Sequence, residues 1–290
     1  MPRHHRLDSE LVRRGLVASR TDAQRAIDDG LVMVSGVAAT KAATMITTDT
    51  PIVLTGPPTR FVSRGGEKLD GALDRLRVEV RDRRWLDAGA ATGGFTDCLL
   101  QRGASEVVAV DVGYGQLAWA LRNDPRVTVI ERVNVRDLTI DVLPWRPEGV
   151  VADLSFISLR LVLPALVAVA EADADFLLMV KPQFEVGRAD VGKGGVVRDP
   201  ALWATAVQSV VDRAAVEGLG LAGAAASPLP GPAGNREFFV WLRRGAKVGT
   251  EPIAAVIEPM IEPVIEPMIE PMIEPMIDEV AAEERGRMGP

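Results

Sequence analysis

Between residues 60 and 245, short apolar runs alternate with longer stretches of helical periodicity, and this alternation restricts the chain more than any other feature. The runs are RRWLDAG, SEVVAVDVG, RVTVIE, EGVVADLS, DFLLMVKP and REFFVWL, with helical patterns between them such as Phe95–Arg102 and Ala201–Glu217. Strands of this kind separated by helices belong to an open, parallel, doubly wound α/β sheet. Such sheets bind ligands outside the carboxyl ends of their strands. Asp87, Asp111, Asp153 and Lys181 all fall at such ends. Lys181 is the least expected of them. It follows the unbroken apolar run Phe176–Val180 with no solvating loop, and burial disfavours an ammonium ion, so the position needs a purpose.

Two flanking regions differ in character. Residues 1–58 read as a small α+β domain. Leu7, Leu11 and Val12 form one helical stripe ending near Gly15, and Ser19 or Thr21 caps a second helix closed by Gly30. LVMVSGVAAT then alternates like a strand with a turn at Ser35-Gly36, and Gly56-Pro57-Pro58 leads into a linker over 59–64. The larger region spans 65–247. Within 248–290, an Ile-Glu-Pro-Met repeat from Glu251 to about Asp278 sets a proline at every fourth residue between Pro259 and Pro275, which neither helix nor strand tolerates, so 248–290 is expected to be an acidic disordered tail.

The formal charge of −7 arises in that tail. Ten acids between Glu251 and Glu284 face only Arg285 and Arg287, so the rest of the chain is close to neutral. Its arginines cluster early, at Arg3, Arg6, Arg13, Arg14, Arg20 and Arg25, and again from Arg60 to Arg84, a distribution compatible with a nucleic-acid face. The lone Cys98 leaves no disulfide framework and suits a reducing compartment. The start MPRHHRLDSELVRRG has no apolar signal core, and LRLVLPALVAVA is proline-broken and shorter than the ~18–20 residues of a membrane span. A soluble cytoplasmic protein is expected, with no membrane partner.

WLDAGAATGGFTD is a strand, a glycine turn and a helix start. As a dinucleotide fingerprint it gives Gly89, Ala91 and Gly94, with a methyl group where the backbone should approach a pyrophosphate. Asp111, after the second strand, suits a ribose diol in a nicotinamide enzyme or in a methyltransferase using S-adenosylmethionine. The latter needs no phosphate cradle, and Asp87 would help hold the turn and the donor's amino group. The rest of the rim favours it. Asp153 ends strand four where an amino-group methylase carries Asn/Asp-Pro-Pro-Tyr, Lys181 ends strand five, Glu237 begins the last strand and Lys68 opens the domain. Two lysines and two carboxylates suit removal of a proton from a sugar hydroxyl, with one lysine as general base and the carboxylates orienting it.

These residues resemble the Lys-Asp-Lys-Glu tetrad of FtsJ-type ribose 2′-O-methyltransferases, matched by Lys68, Asp153, Lys181 and Glu237. RLDSELVRRGLVASRTDAQRAIDDGLVMVSG is similar to the αL RNA-binding domain named after a small-subunit ribosomal protein. Together with VSRGGEKL, DLSFISL, VKPQFEVG, GKGGVVRDP and SPLPGPAGN, residues 3–244 resemble the TlyA (hemolysin A) family. That resemblance implies a Rossmann-like methyltransferase that modifies cytidine ribose in ribosomal RNA, within subunits or the ribosome, and affects capreomycin and viomycin sensitivity. It implies S-adenosylmethionine held by Asp87, Gly89, Ala90, Thr92, Gly93, Gly94, Phe95, Asp111, Asn134 and Asp153. It implies RNA contacts from Arg3, Arg6, Arg14, Arg20, Arg60 and Arg64, and no metal. Departures are Leu31, where many relatives carry a basic residue, Ala91 where Ser is frequent, and Phe61 where Trp or Tyr is. Two rivals follow from the same motifs: a membrane-active hemolysin, which lacks any spanning segment, and a non-catalytic RNA adaptor, which would need a broken tetrad.

Overall fold

The computed structural model describes residues 4–17, 19–28, 30–55, 60–246 and 253; Arg3, the 247–252 stretch and the repeat beyond Ile253 lie outside them. The N-terminal module comprises β1 (His4–Arg6), α1 (Leu7–Arg13), α2 (Arg20–Asp28), β2 (Val32–Val34), β3 (Val37–Ala38), β4 (Met45–Thr47) and β5 (Ile52–Leu54). Ser19 Oγ accepts from Asp22 N at 3.1 Å, capping α2. Ser35 and Gly36 both have positive φ, as a tight two-residue hairpin turn requires. Leu7, Leu11, Ala23, Ile27, Val32, Ala42 and Ile46 form this module's own buried core.

The larger body contains α3 (Arg64–Leu76), β6 (Arg84–Ala88), α4 (Gly94–Gln101), β7 (Glu106–Asp111), α5 (Trp119–Arg122), β8 (Val127–Glu131), β9 (Gly149–Ala152), α6 (Leu159–Val169), β10 (Asp175–Val180), α7 (Pro182–Glu185), α8 (Pro200–Val216), β11 (Gly220–Ala226) and β12 (Phe238–Arg243). Its strands form a seven-stranded sheet in the order β11-β12-β10-β9-β6-β7-β8. The sheet is mixed where a parallel one was expected: β12 runs antiparallel to both β10 and β11. That reversal brings the start of β12, with Glu237 just before it, to the rim where β9 and β10 end.

Both faces of the sheet are covered. Along β10, Phe176, Leu178 and Val180 join one buried cluster, while Leu177 and Met179 join the other. This two-sided burial accounts for the unbroken apolar run before Lys181. Ile253 is also buried in the first cluster, so packed structure reaches beyond the expected start of the tail at 248.

Residues at the expected linker pack on the larger body. Phe61 is buried in its second cluster, and a Cβ on Gly66 would fall 2.3 Å from the Phe61 ring. Val62 N donates to Asp97 Oδ2 at 2.8 Å. Glycine at 66 thus makes room for the aromatic ring that seats the chain entering α3.

Candidate active site

Chain order runs outward from β6 through β7 to β8, then returns across the sheet to β9 on the other side of β6. This change of direction opens a crevice at the carboxyl ends of β6 and β9. The loops there touch: Asp153 N donates to Ala88 O at 3.1 Å. Gly89 has φ +88°, and a Cβ on it would lie 2.6 Å from Asp153 O. Only glycine fits both conditions.

Asp87 is fully buried at the end of β6. Its Oδ2 accepts from Thr96 N at 2.9 Å and Thr96 Oγ1 at 2.7 Å, while Oδ1 has no partner. Burial pushes this carboxyl up to about 7; the Thr96 hydrogen bonds oppose that shift, and repulsion from Asp153 and Asp111 adds to it. Thr96 escaped the sequence reading, although a hydroxyl two residues after Gly94 at a helix start is a recognisable signal. Asp111 accepts from Ala91 N at 2.9 Å and from Gly113 N at 2.6 Å, so it ties the glycine turn to the loop after β7. A shallow depression beside it is lined by Ala91, Gly113, Gln116, Leu117 and Val129.

The other turn residues have mainly structural contacts. Gly93 has φ +96°, and a Cβ there would strike Leu121 at 2.4 Å. Thr92 O accepts from Ala118 N. Ala90 and Phe95 are buried, and the Phe95 ring stacks on Phe239 at 6.0 Å. Asn134 is exposed and caps a short turn, accepting from Arg136 N at 3.0 Å. A Cβ on Gly94 would fall 2.2 Å from Ser63 Oγ and 2.8 Å from Gly66 N. The starts of α3 and α4 are therefore in direct contact, which sets Lys68, on α3, beside the glycine turn.

Lys68 Nζ donates to Glu237 Oε2 at 2.6 Å, with both residues buried. Lys181 Nζ lies 2.6 Å from Asp153 Oδ1 and donates to Ser155 Oγ at 3.0 Å. The first of these Lys181 contacts has ion-pair distance without hydrogen-bond alignment, and Asp153 Oδ1 has no aligned donor. The residues thus form two lysine–carboxylate pairs, each lysine balanced by its own acid. Breaking a buried pair from one side leaves an uncompensated charge, so either arrangement holds best with both members present. Asn235, missed in the sequence, is buried before Glu237: its Oδ1 accepts from Val197 N at 3.0 Å and its Nδ2 donates to Gly195 O at 2.9 Å. It ties the glycine-rich loop after α7 to the chain entering β12. A cavity of about 430 Å³ bordered by Arg146, Pro164, Glu217 and Arg244 contains none of the tetrad.

Among the arginines, Arg6 and Arg20 both pair with Asp8 at 2.8 Å and keep much of their side chains exposed. Arg14 differs. It pairs with buried Glu10 at 2.8 Å and donates to Thr50 O and Thr48 O, so its contacts build the module itself. Arg60 pairs with Asp70 and lies 4.6 Å over the Phe61 ring, and Arg64 reaches Pro230 O at 3.4 Å. No cluster of metal-ligating side chains occurs among the described residues.

Sheet order and crevice define a class: a Rossmann-like fold of the methyltransferase kind, preceded by a small α+β module. The FtsJ-like methyltransferase family model matches residues 61–244 and the S4 domain model residues 5–52. The chain belongs to the TlyA family of FtsJ-like methyltransferases. It is 56% identical over 244 residues to the Mycobacterium tuberculosis protein named 16S/23S rRNA (cytidine-2′-O)-methyltransferase TlyA, covering 84% of this chain and 91% of that one. Hemolysin A of Brachyspira hyodysenteriae is 38% identical over 81% of this chain and 98% of its own. A solved structure from Streptococcus thermophilus that carries a hemolysin name superposes with a TM-score of 0.71 at 38% identity, covering 90% of this chain and 96% of that one. Among the described residues no helix is long and apolar enough to cross a membrane.

Proposed function

We propose that this protein transfers a methyl group from S-adenosylmethionine to the ribose 2′-hydroxyl of a cytidine in ribosomal RNA. The observation that carries this reading is the convergence of Lys68, Asp153, Lys181 and Glu237, remote in sequence, into two pairs at the crevice beside Asp87. The names of the relatives point the same way, and we place the reaction in the cytoplasm on RNA of the ribosome or its subunits.

The residues fit the donor. Its sulfonium supplies an electrophilic methyl group when bound. Asp87 Oδ1, buried and unpartnered, is an acceptor for the donor's amino group. Gly89, Ala90, Thr92, Gly93, Gly94 and Phe95 form the floor and walls of the turn, Asp111 offers its remaining lone pairs to the ribose, and Asn134 marks the adenine side. Ala91 stands at the middle of the turn with φ +46°, where a pyrophosphate would need glycine. On the acceptor side, Lys181 takes the proton of the 2′-hydroxyl as that oxygen gains the methyl. Asp153 orients Lys181, and Glu237, held by Lys68, orients the ribose.

Calorimetry tests the donor half of this reading. S-adenosylmethionine should bind and NAD should not; binding of NAD alone would overturn it. Asp87 also sets a pH dependence. A carboxyl raised to about 7 by burial is protonated in the free protein at pH 6 and must ionise to meet an ammonium group. Donor affinity should therefore be roughly five- to ten-fold weaker at pH 6 than at pH 7.5, with proton release on binding. The sign for the free protein follows from the same shift: the group's contribution to stability is full below its ordinary value and is lost as pH rises through about 7. Asp87→Asn should weaken binding at both pH values and flatten both trends. A pH-independent affinity in the unaltered protein would contradict this role.

A further inference from the structure

Lys181 Nζ has two polar neighbours, Asp153 Oδ1 at 2.6 Å and Ser155 Oγ at 3.0 Å. A neutral lysine ready to accept a proton offers two N–H donors and one lone pair around a tetrahedral nitrogen. Ser155 takes one of those donors, and the Asp153 carboxylate holds the nitrogen at ion-pair distance without an aligned hydrogen bond, so Ser155 is the contact that sets the direction left to the lone pair. We propose that Ser155 is a positioning residue that, with Asp153, aims Lys181 Nζ at the ribose hydroxyl; this rests on the base role of Lys181 argued above.

The surroundings support that assignment. Ser155 is exposed, and Lys181 is its one hydrogen-bond partner among the described residues, so its hydroxyl has no separate packing task. The loop that carries it is fastened to α7, the helix that begins immediately after Lys181. The Phe184 ring lies 5.3 Å from that of Phe156. Glu185 is buried; its Oε2 accepts from Ser158 Oγ at 2.5 Å and its Oε1 from Leu159 N at 2.7 Å. Between the anchored ends Phe156, itself exposed, holds φ +64°, a left-handed conformation uncommon for a bulky side chain. The same short helix therefore presents the lysine and secures the loop that orients it.

In full-length protein acting on ribosomal RNA, Ser155→Ala should lower kcat by about ten-fold, the scale of one lost hydrogen bond to a catalytic amine, with the KM for RNA and the donor affinity within about two-fold of the unaltered protein. Ser155→Thr, which keeps the hydroxyl, should recover most of that loss. Introduced into Lys181→Arg, Ser155→Ala should cause no further decrease, because Ser155 acts through the lysine. A kcat for Ser155→Ala within two-fold of normal overturns the inference, as does the same ten-fold loss in the Lys181→Arg background or a matching loss of donor affinity. Lys181→Arg by itself reports on the base role. An unaffected Ser155→Ala beside an inactive Lys181→Arg would remove Ser155 and leave the base in place.

Discussion

Lys181→Arg is expected to reduce turnover by at least ~10²-fold, the lower end of what a positioned general base contributes, while donor and RNA binding persist. The change keeps the positive charge beside Asp153 and the capacity to donate to Ser155. It removes one property, because a guanidinium does not give up its proton in a protein and so has no lone pair for the ribose hydroxyl. Single-turnover rates with saturating donor and RNA measure the chemical step directly. Donor affinity and thermal stability close to those of the unaltered protein would separate loss of chemistry from loss of fold. Near-normal turnover would leave Lys181 as a positioning cation and transfer deprotonation to water.

The second large effect concerns the N-terminal module. Removal of residues 1–58 should abolish methylation of ribosomal RNA and leave donor binding measurable by calorimetry. Its core of Leu7, Leu11, Ala23, Ile27 and Val32 is separate from the two clusters of the larger body, and Phe61, which seats the chain on that body, is retained. Folded RNA is read chiefly through backbone and shape, and the exposed guanidiniums of Arg6 and Arg20 are the module's candidates for phosphate contacts. Neutralising both should weaken RNA binding and flatten its salt dependence. Arg14→Ala should instead destabilise the module, since its partners are Glu10 and the carbonyls of Thr48 and Thr50. Undiminished methylation by the shortened protein would show that targeting resides in the larger body.

The residues at strand ends were legible in the sequence because apolar runs end abruptly, and a charged residue at such an end has few structural explanations. Lys181, Asp153 and Asp87 all emerged that way. β11 did not. Its sequence GLAGAAA combines small residues of low strand propensity, and pairing with β12 through an irregular register holds it in place. The antiparallel direction of β12 was equally hidden, because direction follows from how a strand is reached in space and leaves no mark on its own alternation. Glu237 reaches the rim beside Lys181 only through that reversal. Ser155, Thr96 and Asn235 were missed for another reason: small polar residues in loops are ordinary, and their importance appears only when the partner donors and acceptors are in place. Ile253 shows a limit of composition, since a proline-rich repeat predicts the character of a segment and not where its first packed residue falls.

The central claim is that the methyl group reaches a ribose oxygen of cytidine. Purified protein incubated with ribosomal subunits and isotope-labelled S-adenosylmethionine, followed by digestion of the RNA to nucleosides and mass spectrometry, measures this directly. The account predicts label in 2′-O-methylcytidine, with none above background for Lys181→Arg or for protein lacking residues 1–58. Label on a nucleobase, or on RNA modified equally well by those two variants, would contradict it.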